Sequence, residues 1–259
     1  MAFIDLQRIG RRTLQTAEYS AGTWQLLRHA MGRLADLRIP AVRTVLYRQI
    51  YFTGVQVLGT VALIGALLGI VIIAEVASLI GSNAELTGKI LVWIVVRELG
   101  PLLTATLIVA RSCTAVASEL GSMKLNDEVT HLFTMGIDPY GYLLVPRILG
   151  MTVAVVFLTI YFQFCAIAGG ILLSSQLFVD IQFLRHLQGI FAELSLLDIG
   201  ISLFKSLVFG LLIAAISCYH GFRVRSSLTE IPQVTAVAVM QSLFFMFVID
   251  GVITMTVLL

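Results

Sequence analysis

Charge is the scarcest commodity in this chain. Only 12% of its 259 residues are Asp, Glu, Lys or Arg, while 58% are hydrophobic, too little polar surface to cover a water-soluble domain. Cysteine is sparse as well: Cys113, Cys165 and Cys218 are odd in number and show no paired spacing, so no disulfide framework is implied. The four histidines, His29, His131, His186 and His220, form no His-Glu-x-x-His pair or other metal-ligand pattern. A phosphate loop is missing too. The segment from Gly81 to Ile90 has six residues between its glycines instead of four, and Ile90 stands where Ser or Thr would bind magnesium. Any ATP and magnesium that drive this protein are therefore expected on another chain, with no cofactor in this one. No short apolar core with a small-residue cleavage site precedes residue 54, so no removable signal peptide is expected. No internal repeat or low-complexity tract is visible, and one membrane domain accounts for the chain.

What the chain has in abundance is long apolar runs. Stretches near 54–78, 90–110, 148–174, 199–219 and 236–258 each reach the roughly 20 residues needed to cross ~30 Å of hydrocarbon. The expected fold is all-α, a polytopic membrane protein with five transmembrane helices after an N-terminal interfacial and elbow region at 1–53. Lys and Arg concentrate on one side: eight fall in residues 1–53, three in the 111–147 loop and two in the 220–235 loop, against Lys89 and Arg185 on the other side. The positive-inside rule then puts the N-terminus in the cytoplasm and the C-terminus outside it.

Residues 1–39 are basic and mildly amphipathic. Trp24, Leu27, Met31 and Leu34 recur at helical spacing with Arg28 and Arg33 between them, which suits either a helix on the inner leaflet or a solvated helix packed on the rest of the protein. Pro40 fits the first turn of a further helix leading to the first span. In that span Gly65 and Gly69 form a small-xxx-small face that admits another helix closely. Between the third and fourth spans, Phe178, Ile181, Leu184, Leu187 and Phe191 predict one or two helices lying against the outer surface.

The candidate functional residues are the charges inside the membrane. Arg97 and Glu98 in the second span, Lys205 in the fourth and Asp250 in the fifth each cost roughly 3 kcal/mol or more at bilayer depth unless paired or hydrated. At ~1.5 Å per residue they share one layer, roughly 8–15 Å below the outer surface, with Glu75 just above it. Lys205 and Asp250 have opposite signs and matching depth, which makes a buried ion pair. Pro101 lacks an N–H and frees carbonyls in the turn before it, so a helix break at Gly100-Pro101 is expected, with Arg97 and Glu98 walling a wet substrate path.

In the cytoplasmic loop Asn126 can cap a helix of about nine residues, near 126–136, with Asp127 and Glu128 in its first turn. Gly136 closes it, Asp138-Pro139 turns the chain back, and Val129, Leu132, Phe133 and Met135 make its apolar face. That pattern fits a covering helix or one that docks on a partner.

The stretches Arg97-Glu98-Leu99-Gly100-Pro101, Glu119-Leu120-Gly121, Met135-Gly136-Ile137-Asp138-Pro139 and Pro146-Arg147 closely resemble the MlaE/YrbE family, permease subunits of ABC transporters that move lipids with MCE proteins. The likeness returns at Lys205-Ser206, Phe209-Gly210, Cys218-Tyr219, Gly221 and Asp250. It implies a homodimer of five-span subunits in a bacterial inner membrane, with a periplasmic C-terminus, two cytoplasmic ABC ATPase subunits, a periplasmic hexameric MCE protein, a phospholipid or other hydrophobic lipid as substrate, and no nucleic acid. It further implies a lipid pocket at the dimer interface, formed mainly by the first, second and fifth spans, with Glu98, Arg97, Glu75, Leu68 and Ile72 as candidates. Glu119, Asp127, Glu128, Val129, Leu132, Phe133, Met135 and Asp138 become the candidates for ATPase coupling. The chain departs from the family pattern at Asp127-Glu128-Val129, at Phe133 in place of a basic residue, at Thr229–Thr235 and at Glu75 in place of Gln. Two other classes are weighed against this one. A channel or ion-coupled carrier would use Glu98, Lys205 and Asp250 as a relay, and would bring no ATPase with it on purification. An intramembrane enzyme would need a nucleophile–base or metal constellation, and none is visible.

Overall fold

The computed structural model describes residues 22–28, 30, 32–33, 37–80, 84–177, 188–190, 192–224 and 227–258. Among them the chain is all-α, and five helical stretches are long and apolar enough to cross a membrane: Pro40–Val76, Gly88–Leu125, Tyr140–Leu172, Leu196–Gly221 and Glu230–Val257. The helices expected around Phe178 to Leu187, all of residues 1–21, Met31, Leu34 and the Gly81 loop fall outside the described residues.

The first stretch begins with an elbow helix, Pro40–Thr53, which has Pro in its first turn, where the missing N–H costs nothing. A short 3₁₀ turn, Val55–Val57, joins it to the span helix Leu58–Ile80. The second stretch is longer than the apolar run alone predicts, because the polar-looking segment after residue 110 continues as helix to Leu125. Its hydroxyls explain how. Thr114 donates to the Arg111 carbonyl at 2.6 Å and Ser118 to the Ala115 carbonyl at 3.0 Å, so these polar groups are satisfied within the helix. Small residues on the same face allow the extension to pack tightly: a Cβ on Gly221 of the fourth span would meet the Leu120 Cβ at 2.7 Å.

The third span is the hub. In its central window 72% of residues are buried, against 28% in the first span and 22% in the fifth, so the two last-named helices present most of their surface outward. The first span docks on the third through its glycines. A Cβ on Gly69 would lie 1.9 Å from the Ala166 carbonyl oxygen, and one on Gly65 would lie 3.1 Å from that of Phe162. Close backbone approach of this kind is how helices associate where lipid removes any hydrophobic incentive. Thr152 and Thr159 of the third span are fully engaged with their own helix, donating to Ile148 and Val155 carbonyls at 2.7 and 2.9 Å.

The fourth span opens with Ser195, whose hydroxyl accepts the Leu197 N–H at 3.3 Å while the Asp198 carboxylate accepts the Ser195 N–H at 3.4 Å. That reciprocal cap starts the helix three residues before its apolar run. The fifth span, Glu230–Leu258, packs on the fourth span and on the Thr114–Leu125 extension of the second. Its N-terminal half is held by polar contacts, with Gln241 Oε1 2.5 Å from His220 Nε2 and Ser242 Oγ 3.7 Å from Cys113 Sγ.

The Gly69 contact supplies a test. Gly69→Val would force the first and third spans apart, an overpacking that typically costs about 1–3 kcal/mol. Gly59→Val places its side chain where nothing lies within 4 Å. Thermal melting of the purified proteins in detergent should show a clear drop for the first and little change for the second.

Candidate functional site: a buried ion cluster and a capped loop helix

Lys205 is fully buried, and its ammonium is the centre of the charge layer. Its Nζ donates to Glu98 Oε2 at 2.7 Å and to Thr254 Oγ1 at 2.8 Å, and lies 2.9 Å from Asp250 Oδ1. The contact with Asp250 is an ion pair, alongside the hydrogen bonds to Glu98 and Thr254. Thr254 completes the ring by donating to Glu98 at 3.1 to 3.2 Å. One ammonium thus joins carboxylates from the second and fifth spans. Buried ions survive in low dielectric only with such multiple partners.

Glu98 differs here from its expectation. Instead of facing a wet path alone, it spends its charge on Lys205 and Thr254, with 24% of its side chain still exposed. The helix around it is also not broken. Val92–Leu99 winds as a π-helical segment and Gly100–Ile108 resumes as α-helix with Pro101 in its first turn. The wider turn removes the clash that proline would cause in an α-helical interior, and it is a common local solution at functional positions. Gln163 of the third span covers this turn, donating to the Val96 carbonyl at 3.0 Å and to Ser202 Oγ at 2.6 Å. Arg97 turns elsewhere, 3.9 Å from Asp198 at the head of the fourth span.

Glu75 stays exposed on the first span, outside this cluster, and Leu68 and Ile72 are partly buried against the core. Thr254, Gln163 and Ser202 were not singled out by the sequence. A threonine one turn after Asp250 and a glutamine at mid-span are the only signals that pointed to them.

At the opposite end of the bundle, Leu125 ends the second stretch and the chain reverses at Asn126-Asp127. Asn126 is the final cap of that helix and not the first cap of the next. Asp127 takes that place with φ +57° and no side-chain cap bond, and the loop helix is Glu128–Thr134, seven residues long. Its far end is closed firmly. Gly136 adopts φ +75°, with its N–H donating to the Phe133 carbonyl at 3.0 Å and that of Ile137 to the Leu132 carbonyl at 2.9 Å, the paired bonds of a glycine-terminated helix. Asp138 then accepts the N–H groups of Tyr140 and Gly141 at 3.4 and 3.3 Å and pairs with Arg33 at 2.9 Å.

The apolar residues of this helix divide into two sets. Val129 and Leu132 are partly buried and pack on the core, while Phe133 and Met135 are 54% and 73% exposed and are joined outside by Ile137 and Tyr140. Leu132 is thus an anchor to the spans, and the uncovered ridge is Phe133, Met135, Ile137 and Tyr140. Phe133 and Tyr140 meet edge to face at 6.5 Å, and Tyr140 stacks on Phe222 at 6.1 Å, so the ridge is rooted in the fourth span. Glu119 pairs with the buried Arg147 at 2.9 Å beside a cavity of about 730 Å³, whose wall includes Glu128 and Arg48.

The family model described as Permease MlaE matches residues 46–256. A probable ABC transporter permease protein of Synechocystis is 36% identical over 163 residues, covering 62% of this chain and 61% of that protein. One from Rickettsia conorii is 27% identical over 258 residues and 98% of both chains, and the chloroplastic protein TRIGALACTOSYLDIACYLGLYCEROL 1 of Arabidopsis thaliana is 29% identical over 80% of this chain and 59% of its own length. The chain spans less than two thirds of the Synechocystis and Arabidopsis proteins.

The cluster predicts a specific mutant pattern. Lys205→Met strands two carboxylates and should cost about 3–5 kcal/mol, the usual result of breaking a buried pair. Lys205→Met with Asp250→Asn should remain poor because Glu98 is still charged. Adding Glu98→Gln should recover most of the loss. Melting temperatures of the four proteins in detergent decide it, and additive losses across the series would refute a shared cluster.

Proposed function

The chain belongs to the MlaE permease family, and on that premise we propose that it is the membrane-spanning subunit of an ABC transporter that moves phospholipid or another hydrophobic lipid between membranes, driven by a separate ATPase. The coarse part needs no proposal: it is a multi-pass permease subunit of the kind its relatives are named for. The finer part rests on one observation above the rest. A loop helix locked at its glycine end carries an uncovered apolar ridge, Phe133, Met135, Ile137 and Tyr140, on the side of the bundle rich in Lys and Arg. Aromatic and methionine side chains of this type form the buried core of protein interfaces, and a rigid mount is what a docking element needs to pass on the motion of an ATPase. We place that side in the cytoplasm of a bacterial inner membrane, with the C-terminus in the periplasm.

The lipid assignment is supported by the Arabidopsis relative, whose name contains a diacylglycerol glycolipid, and by the chemistry of the spans. The first and fifth spans expose Leu63, Leu67 and Val71, and Met240, Phe244, Phe247 and Met255. These stripes suit a homodimer with a lipid pocket between its halves. Glu98 and Arg97 at the charge layer and Glu75, Leu68 and Ile72 on the first span would wall that pocket from the two subunits together. A periplasmic MCE-domain protein would receive or deliver the lipid. The carrier reading, a charge relay through Glu98, Lys205 and Asp250, is disfavoured because Lys205 is held by both carboxylates at once.

Phe133→Asp with Met135→Asp tests the coupling role. Each change puts charge into an interface core, where a central residue is worth about 2 kcal/mol or more, roughly 30-fold in affinity. The variant should insert and melt like the wild type but lose its ATPase during affinity purification. Retention of the ATPase would reject the ridge as the coupling surface. Mass spectrometry of lipids extracted from the intact complex identifies the cargo.

A further inference from the structure

A second apolar site lies beside the N-terminal residues, between the fourth and fifth spans. The described N-terminal helical residues 22–28 lie against the end of the fourth span. Gly22 sits against the Tyr219 ring, and Gln25 and Leu26 face Tyr140, Phe222 and Arg223. This segment is therefore on the same side of the bundle as the loop helix. Its opposite face, Thr23, Trp24 and Leu27, forms one wall of a groove of about 380 Å³ that runs between the two spans. Val208, Leu212 and Ile216 line it on the fourth span and Phe245 and Ile249 on the fifth.

Three observations fix what would fill it. No charged side chain lines the groove, and two of its walls are membrane spans, so the surrounding medium at that level is hydrocarbon. The groove extends from Ile216 to Val208, ~12 Å along the helix axis, and a transmembrane helix ~10 Å across would need on the order of 900 Å³ to fill that length. The space fits a single flexible chain and not a helix. At the mouth, Trp24 is 67% exposed and Arg28 follows one helical turn later, the pairing of an interfacial aromatic ring with a cation at phosphate level.

We propose that this groove binds one fatty-acyl chain of a phospholipid from the leaflet on the loop-helix side, with the lipid phosphate beside Trp24 and Arg28. The site is separate from the pocket between subunits proposed above. Phe245 and Ile249 stand on the face of the fifth span turned to the fourth, whereas Met240, Phe244 and Met255 stand on the far face and are exposed. The inner end of the groove adjoins the ion cluster, since Val208 follows Lys205 by three residues and Ile249 precedes Asp250. A bound chain would therefore clamp the N-terminal helix to the two spans that carry Lys205 and Asp250.

The test uses the full chain in vesicles of phosphatidylethanolamine and phosphatidylglycerol containing a small fraction of phosphatidylcholine with a photoactivatable diazirine in one acyl chain. After irradiation, peptide mapping should find label on Leu212, Ala215 and Phe245 in excess of that on Phe157 and Phe164, which are each 67% exposed and sample bulk lipid. Ala215→Phe fills the groove from the fourth span and Leu27→Trp fills it from the N-terminal helix, so a folding defect in one leaves the other. Either should reduce groove labelling roughly tenfold, the change expected from losing about 1.4 kcal/mol of affinity, while labelling at Phe157 and Phe164 stays constant. Groove labelling no higher than at those two residues, or unchanged in a folded filled variant, would overturn the proposal. So would a protein–protein crosslink from a benzophenone at position 212, which would mean that another segment occupies the space.

Discussion

The end of this bundle away from the loop helix is organised around one ammonium group. Lys205 has no exposed surface, so its charge must be neutralised inside the protein, and the second and fifth spans do so with Glu98, Asp250 and Thr254. Desolvating an ion costs several kcal/mol, repaid only where geometry is good and the remaining valences are met. The π-helical winding at Val92–Leu99, the Gln163 bridge to Val96 and Ser202, and the reciprocal cap at Ser195 all lie around that cluster. The glycine contact between first and third spans then holds the hub to which these elements attach.

Much of this was legible in the amino-acid sequence because hydrophobic length is a strong signal. The five spans, the small-residue face at Gly65 and Gly69, and the loop helix ending at Gly136 can each be read from residue type and spacing. Helix ends were harder. Residues 111–125 look like loop by polarity, yet their hydroxyls bond back to the helix and their small side chains suit tight packing, so tertiary contact overrides composition. Asn126 caps the preceding helix and Asp127 the loop helix for a related reason: both residue types serve at caps, and only the reversal of the chain decides which helix each one serves.

The charge layer illustrates a different limit. Opposite signs at equal depth on the fourth and fifth spans suggest Lys205 beside Asp250, but depth alone is silent about azimuth. Glu98 lies at the same level, and its direction depends on the extra residue accommodated by the π segment before Pro101. That local winding has no simple periodic signature. The division of Val129 and Leu132 from Phe133 and Met135 was hidden likewise, because a seven-residue helix packed on span ends buries fewer positions than its apolar pattern offers.

The sparse burial of the fifth span carries a consequence for what the surroundings of this protein encounter. A helix touching its bundle on so narrow a front could spin about its own axis at small cost if its contacts were apolar alone. Asp250 forbids that, because moving the sequence by one position rotates a side chain through ~100° and would carry the carboxylate away from Lys205 toward hydrocarbon. The ion cluster is thus a key in a keyway: it fixes which compass direction Met240, Phe244, Phe247 and Met255 face, and a neighbouring molecule meets one surface rather than a blur of them.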